Sequence, residues 1–253
     1  MSKRMLGVFA VVVMATMIAV PKAVSQTQQA PIVYTYVSQF QVPRANWAQY
    51  SDDTEKTFIP VAEKLMADGT ILGWSTFETL VHTPDGYTHG ATWSSTTIAG
   101  LMKVLDETRK SGPRPGQIAA TKHEDLLLQT GMYHAGSGTP TYVRVVCQMA
   151  KPDKAGEYAA ALKKYLVPTF DEQIAKGTAT YYGLDEQYVN TAPPSIRCLV
   201  INYPNADGMD KWAMAVNAAL GKMSQADRDS FFGTTVADSR RDILARVTHF
   251  GHK

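Results

Sequence analysis

Apolar and polar residues alternate with two different periods along this chain, and these periods predict strands and helices in a definite order. Residues 34–41 are rich in aromatic and β-branched side chains, which is typical of a strand. Residues 43–68 instead carry an apolar side chain every three or four positions, as on one face of a helix. The pattern predicts a strand followed by a helix whose apolar face packs on a sheet.

The next segments complete a recognisable unit. Residues 70–82 and 87–95 have the composition of strands, and the turn sequence at 83–86 predicts that they form a hairpin. A second helix is predicted over 96–110 and a fourth strand over 125–134. The order is β-α-β-β-α-β, the order of a ferredoxin-like unit.

The chain then repeats this unit at an offset of 108 residues. The repeat includes both prolines inside the first helical pattern of each copy, Pro60 and Pro168, and both helix-ending pairs, Gly69-Thr70 and Gly177-Thr178. Further identities at the same offset are Tyr34/Tyr142, Val37/Val145, Tyr50/Tyr158, Lys56/Lys164, Glu78/Glu186, Val81/Val189, Gly100/Gly208 and Lys103/Lys211. So many identities at a single offset indicate that the chain arose by duplication.

Three local features carry structural predictions. Pro60 and Pro168 remove a backbone donor, so we expect a kink or break in both helices. Gly69 and Gly177 are expected to end those helices in the left-handed conformation. The second copy has nine extra residues before its last strand, and segment 224–233 is expected to supply them as a surface helical turn or a lid.

The first 25 residues resemble a secretory signal peptide. Lys3 and Arg4 precede an apolar run over 5–20, and Ala23-Val24-Ser25 offers small residues for cleavage. We therefore expect a periplasmic or secreted protein, with repeats at 26–135 and 136–253. Cleavage would leave 22 basic and 23 acidic residues, a net charge of −1. A near-neutral chain has no electrostatic footprint for nucleic acid, and no stable membrane insertion is expected after cleavage.

The element order, the repeat length and the two Gly-Thr pairs resemble the dimeric α+β barrel superfamily, which includes NIPSNAP-like and antibiotic-biosynthesis-monooxygenase-like domains. The resemblance implies an α+β fold in which two fused ferredoxin-like repeats form a pseudo-dimeric α+β barrel with helices outside. It also implies a range of activities, including cofactor-independent oxygenases, haem-handling enzymes and isomerases, and the fold does not choose among them. A monomeric pseudo-dimer and a homo-oligomer both stay open.

Strand alternation divides the side chains between two faces and suggests a ligand site. Val143, Val145, Cys147 and Met149 are assigned to the helix side, which sends Arg144 inward. The residues then predicted to line the enclosed face are Tyr34, Tyr36, His89, Trp93, Tyr142, Arg144 and Arg197. An aromatic pocket with two arginines would suit an apolar or aromatic carboxylate. The alternative is that the aromatics are core and the arginines reach solvent.

Histidines offer weaker candidates. Glu78, His82 and His89 could approach one another around the hairpin, but solvated hairpin ends explain them as well, and we predict no metal site. His134, His249 and His252 stay open as haem ligands, although no haem, nucleotide or serine-hydrolase motif occurs and no cofactor is predicted.

The two cysteines, Cys147 and Cys198, lie on the first and third strands of the second copy. Those strands are neighbours in a ferredoxin-like sheet, so a disulfide is feasible in an exported chain, and two free thiols are the alternative.

The leading functional hypothesis is a protein that binds a small apolar or aromatic molecule in the barrel or at its mouth. The first alternative is a cofactor-independent oxygenase or isomerase that acts on an aromatic substrate. In it His89 would be the base, and Arg144 or Arg197 would stabilise the developing anion. The second is an interaction module whose barrel is filled by its own side chains. Whether the protein is an enzyme is left open by the sequence.

Overall fold

A computed structural model describes residues 31–189 and 196–253. The predicted signal peptide at 1–25 and the polar residues up to 30 lie outside the described residues.

Each repeat supplies four strands and the helices between them. In the first repeat these are β1 Val33–Gln41, α1 Trp47–Asp53, α2 Ile59–Ala67, β2 Gly73–Thr79, β3 His89–Ser95, α3 Ile98–Lys110, α4 Pro115–Ile118 and β4 Lys122–Ala135. In the second they are β5 Tyr142–Met149, α5 Ala155–Tyr165, α6 Val167–Ala175, β6 Tyr181–Gln187, β7 Ile196–Tyr203, α7 Ala206–Lys222, α8 Gln225–Phe232 and β8 Arg241–His252.

The eight strands form one closed barrel in the order β1-β3-β2-β8-β5-β7-β6-β4. Within each repeat the order is that of a ferredoxin-like sheet, and antiparallel pairing of β2 with β8 and of β4 with β6 joins the two sheets. Closure removes the exposed edges that two separate sheets would have. The predicted α+β fold with a pseudo-dimeric barrel is confirmed.

Both predicted helix irregularities are present at the prolines. In the first repeat a π-helical segment, Thr54–Phe58, separates α1 from α2, and Pro60 lies in the first turn of α2. In the second repeat α5 ends at Tyr165 and α6 begins at Val167, with Pro168 in its first turn. The backbone before each proline is already helical, so the missing N–H removes a helical hydrogen bond, and the π-helical segment and the break at Leu166 accommodate that loss.

The two helix-ending glycines adopt the predicted conformation. Gly69 has φ +85° and Gly177 has φ +68°, in the left-handed region that other residues resist. In the second repeat the chain reverses with Thr178 N donating to Gln173 O at 2.9 Å, which satisfies a carbonyl at the helix end. These reversals bring β2 and β6 back onto their sheets.

Each repeat has a separate hydrophobic core between its helices and the outer face of its sheet. The first core contains Phe58, Ala62, Leu65, Ile71, Trp74, Ala91, Trp93, Leu101 and Val104. The second contains Ala150, Tyr158, Leu162, Leu166, Phe170, Ile174, Ala179, Tyr182, Leu184, Ile201, Tyr203, Trp212, Met223 and Phe231. Burying apolar area in this layer is what holds the helices on the barrel.

The predicted face assignment of the strands is wrong. The Trp93 indole N–H donates to Leu101 O of α3 at 3.1 Å, and the Tyr36 ring stacks on Trp93, so both side chains face the helices. In the second repeat the Gln148 amide donates to the Tyr158 hydroxyl of α5 at 2.6 Å. Alternation separates the two faces of a strand but does not say which face is enclosed.

The same correction applies to the cysteines, which were assigned to the helix side. Cys147 and Cys198 are direct partners across β5 and β7, with Cα atoms 4.0 Å apart, and their sulfur atoms are joined in a disulfide. Because the neighbouring Gln148 faces α5, alternation sends Cys147 into the barrel.

Candidate functional site

A cavity of about 440 Å³ lies between the helices and the outer face of the sheet in the first repeat. Strands β1, β3 and β4 supply its floor, α1 and α3 its sides, and the segment after α3 its rim. The floor residues are Tyr36, Ser38, Phe40, Ala91, Trp93, His123 and Asp125. The volume falls in the range that small-molecule sites occupy in proteins.

The apolar part of the floor is a rigid aromatic platform. The rings of Tyr36 and Trp93 are stacked, with centroids 4.6 Å apart and planes 17° from parallel. Trp93 is buried, and its hydrogen bond to Leu101 fixes the ring orientation. Such a platform can stack a flat ring without first having to become ordered.

A polar cluster lies beside this platform on β1 and β4. The His123 ring nitrogen Nε2 is 3.0 Å from Asp125 Oδ1 and 3.1 Å from Ser38 Oγ. The His123 ring also stacks on Phe40, with centroids 4.3 Å apart. Burial, and then the negative charge and hydrogen bonding of Asp125, raise the pKa of Tyr36 well above its ordinary value. Tyr36 therefore stays a neutral phenol, whose hydroxyl can donate a hydrogen bond.

The rim of the cavity is a short segment held by a buried carboxylate. It runs from Gly112 to Ile118 and contains Arg114 and α4. Asp53 of α1 is buried, and its Oδ2 accepts a hydrogen bond from Gly116 N at 2.6 Å. Gly116 is required at this point because an added Cβ would lie 2.5 Å from the backbone of Tyr50. The rim is thus fixed against α1 by close backbone contact.

The corresponding layer of the second repeat is filled. Tyr158, the counterpart of the cavity residue Tyr50, stacks on Phe231 of α8 with ring centroids 6.1 Å apart. Phe231 and Met223, which lie in or beside the inserted segment, are buried in the second core. The predicted insertion at 224–233 does form a helix, but it contributes to packing as well as to the surface. A cavity between the helices and the sheet is consequently a feature of the first repeat, whereas the second repeat has an opening of about 480 Å³ among α5, α6, α7 and α8.

The structure divides the predicted ligand-binding residues between the two repeats. Tyr36 and Trp93 line the cavity described above. Tyr142, Arg144 and Arg197 lie on β5 and β7 of the second repeat, on the side facing its helices. Arg144 pairs with Asp242 at 2.5 Å, and Arg197 forms an ion pair with Glu186. A single enclosed site containing all five residues is therefore not formed.

His89 lies in a different environment from the one predicted. It is buried between the rings of Trp47 and Tyr50, with centroids 5.1 and 4.9 Å away. Burial, with a smaller contribution from His82, lowers the pKa of His89 to about 4. Its Nδ1 is 2.9 Å from the Thr88 hydroxyl. The side chain has the surroundings of a neutral core histidine and is not among the residues that line the cavity.

The other histidines lie outside the cavity, apart from His123. His134 pairs with Asp171 at 2.8 Å, and His249 lies 3.8 Å from Glu55, both at the surface. Within residues 31–189 and 196–253, no three His, Cys, Asp or Glu side chains are grouped so as to hold a metal ion. No helix in this part of the chain is long and apolar enough to cross a membrane.

Sequence reasoning missed the polar residues of the cavity. His123 and Asp125 are two positions apart on β4, so they share a face, and this spacing was the signal that could have identified them. Arg114 lies between the predicted second helix and the predicted fourth strand, and nothing local places it over the sheet. The position of Arg114 in the rim is evident only from the contact between α1 and α4.

Comparisons with known proteins agree with the fold. A candidate monooxygenase from Fusobacterium nucleatum superposes with a TM-score of 0.66 and 12% identity, covering 88% of this chain and 96% of that chain. Another from Lactobacillus acidophilus gives a TM-score of 0.63 at 12% identity, covering 87% and 96%. An anthrone oxidase-like protein gives 0.53 at 9% identity, covering 88% and 93%.

These likenesses support the closed α+β barrel architecture described above. At identities of 9–12% the likeness concerns the fold alone. No protein-family model matches the sequence, and no curated protein matches it either. The chemistry of the site has to be argued from its own residues.

Proposed function

We propose that this protein binds a small planar aromatic molecule in the cavity of its first repeat. The observation that carries the proposal is the stacked Tyr36–Trp93 platform at the floor of a 440 Å³ cavity with polar groups on one side. Apolar walls with a few fixed polar groups are typical of small-molecule sites. The likeness in fold to two candidate monooxygenases, at 12% identity, also supports binding of a small organic molecule.

Binding can be tested by filling the cavity. Ala91 is a floor residue on β3 whose counterpart in the filled second repeat is Leu199. We expect Ala91→Leu to weaken binding of 2-naphthoate at least tenfold, because the added side chain occupies the place of the ring. The measurement is isothermal titration calorimetry, with circular dichroism to verify folding.

The control is Ala67→Leu, which makes the same change at an exposed position at the end of α2. It should leave the affinity for 2-naphthoate unchanged. Equal affinities for the wild type, Ala91→Leu and Ala67→Leu would place the probe somewhere other than this cavity and end the proposal.

A second candidate function is cofactor-independent oxygenation of an aromatic substrate. It is favoured by the contact between His123 and Asp125 in the cavity wall, where His123 could take a proton from a bound phenol or activated methylene group. Molecular oxygen would then be the co-reactant. The test is oxygen consumption with anthrone as substrate. Loss in His123→Gln with retention in His89→Gln would support His123 as the base, and the opposite result would support His89.

The site of action is proposed to be outside the cytoplasm. The basis is the sequence pattern of residues 1–25, with its basic start, apolar run and small residues. Cell fractionation with mass measurement of the mature chain tests it. An intact chain in the cytoplasm would be the contrary result.

A further inference from the structure

Arg114 differs from the other arginines considered as ligand contacts because it forms no ion pair in the described part of the chain, although the charge of Asp53 acts on it from beyond ion-pairing distance. Arg144 and Arg197 each form an ion pair, with Asp242 and Glu186 respectively. Throughout the described part of the chain, no carboxylate lies within ion-pairing distance of the Arg114 guanidinium, although the group is half-buried in the cavity rim. A half-buried cation without a partner carries a desolvation cost that an anionic ligand would offset.

The backbone around Arg114 holds it in place. Pro113 and Pro115 flank it, and each proline fixes its own φ. The following residue, Gly116, is bound to the buried Asp53, whose other oxygen accepts a hydrogen bond from Gln49 at 2.8 Å. Because the backbone at Arg114 is fixed, only its side chain has to become ordered when a ligand binds.

The rest of the cavity favours an anionic group at the rim rather than at the floor. Asp125 places a negative charge at the floor, where His123 and Tyr36 already interact with it. Arg109, the other arginine of the cavity, lies at the end of α3 and is largely exposed, with Asp106 at 3.8 Å. Burial lowers the pKa of Arg114, but a guanidinium stays charged throughout the physiological range.

We propose that the ligand of this cavity is an aromatic carboxylate, whose ring stacks on the Tyr36–Trp93 platform and whose carboxylate is bound by the Arg114 guanidinium. This inference rests on the proposed binding function and adds the class of ligand. A planar guanidinium can give two parallel hydrogen bonds to a carboxylate, which a neutral amide of the same shape cannot accept equally well.

The experiment compares 2-naphthoate with its neutral isostere 2-naphthamide by calorimetry. We expect the wild type to prefer the carboxylate at least about tenfold, as for a hydrogen-bonded charge pair. Arg114→Gln should bring the two affinities within about threefold, chiefly by weakening 2-naphthoate, and Arg114→Lys should retain part of the preference. Arg109→Gln should retain most of it, because Arg109 is exposed. Arg246→Gln is the matched control, because Arg246 is exposed on β8 and does not line the cavity.

The outcomes separate this inference from the binding proposal. If the wild type binds both probes equally, the carboxylate preference is wrong while the aromatic site stands. If Arg114→Gln weakens both probes by the same factor, or Arg109→Gln alone removes the preference, the assignment to Arg114 is overturned. If neither probe binds the folded wild type, this inference fails together with the binding proposal. Thermal unfolding of each variant verifies that it is folded.

Discussion

Asp185 is a buried acid inside the barrel, and its environment predicts an unusual dependence of stability on pH. It lies on β6 opposite Cys198, is 7% exposed, and accepts a hydrogen bond from the Thr130 hydroxyl at 2.5 Å. Burial raises the pKa of Asp185 to about 6. Between about pH 4 and 6 the folded protein therefore holds a proton that the unfolded chain releases.

Because the folded protein binds this proton more tightly than the unfolded chain, protonation of Asp185 stabilises the fold. The stability associated with protonated Asp185 is fully present below about pH 4 and is lost as the pH rises through about 6. Asp185→Asn removes this titration. We expect its free energy of unfolding, relative to the wild type, to increase by about 1–3 kcal/mol from pH 4 to pH 7.

Urea unfolding of both proteins at several pH values measures this. His89 titrates in the opposite sense, because its pKa is lowered to about 4, but its contribution cancels when the two proteins are compared at each pH. A difference in unfolding free energy that does not change with pH would show that Asp185 has an ordinary pKa.

Sequence prediction failed most in assigning individual side chains to the two faces of the strands. Tyr36 and Trp93 were selected for the right reason, aromatic side chains on one strand face, but that face was assigned to the barrel interior. A period of two sorts residues into faces without saying which face is enclosed. The choice depends on where the helices pack, as the hydrogen bond from Trp93 to Leu101 shows.

At the scale of elements, α8 accounts for the difference between the repeats. Its residue Phe231 is 6% exposed and packs on Tyr158, whereas its neighbour Phe232 is 54% exposed. We expect Phe231→Ala to lower the free energy of unfolding by about 3–5 kcal/mol, because it removes a buried ring and leaves a cavity. Phe232→Ala, the same change one residue away, should cost less than about 1 kcal/mol.

Chemical denaturation of the two variants distinguishes a packed helix from surface decoration. Similar small losses in both would mean that α8 is decoration and that Phe231 does not fill the second repeat. Equal large losses would instead mean that the whole helix depends on both rings.

Helices, strands and their irregularities were predicted better than the orientation of the strand faces, because they are determined by residues that are close in sequence. The irregularities at Pro60 and Pro168 and the left-handed glycines at 69 and 177 follow from the chemistry of single residues, and all were confirmed. The short helix α4, between the predicted second helix and fourth strand, was not predicted. Its position depends on Asp53, which lies far away in the sequence, so no local pattern could predict it.

Duplication and closure place two equivalent repeats in one barrel, and the first of them contains the cavity between helices and sheet. The offset of 108 residues predicted two equivalent units, and the barrel contains them in equivalent positions. The pairings of β2 with β8 and of β4 with β6 connect the sheets, so a well-packed second repeat supports a first repeat that keeps a cavity. Polar groups and an open cavity cost stability, and the filled second core offsets part of that cost.

This coupling predicts that the disulfide of the second repeat stabilises the first repeat as well. The Cys147–Cys198 bond spans 51 residues, and closing a loop of that length contributes about 2–4 kcal/mol. Of the four tryptophans, Trp47, Trp74 and Trp93 lie in the first repeat and Trp212 in the second. Fluorescence of a Trp212→Phe protein therefore reports the first repeat alone.

In that background we expect replacement of both cysteines by alanine to lower the unfolding midpoint measured by fluorescence of the first-repeat tryptophans. The midpoint measured by far-ultraviolet circular dichroism should fall by the same amount. The reason is that unfolding the second repeat would expose the edges of β2 and β4, so the barrel should unfold in one transition. If the fluorescence midpoint stays fixed while the dichroism midpoint falls, the repeats unfold independently. The packing of the second repeat would then contribute nothing to the stability of the first repeat, which contains the cavity.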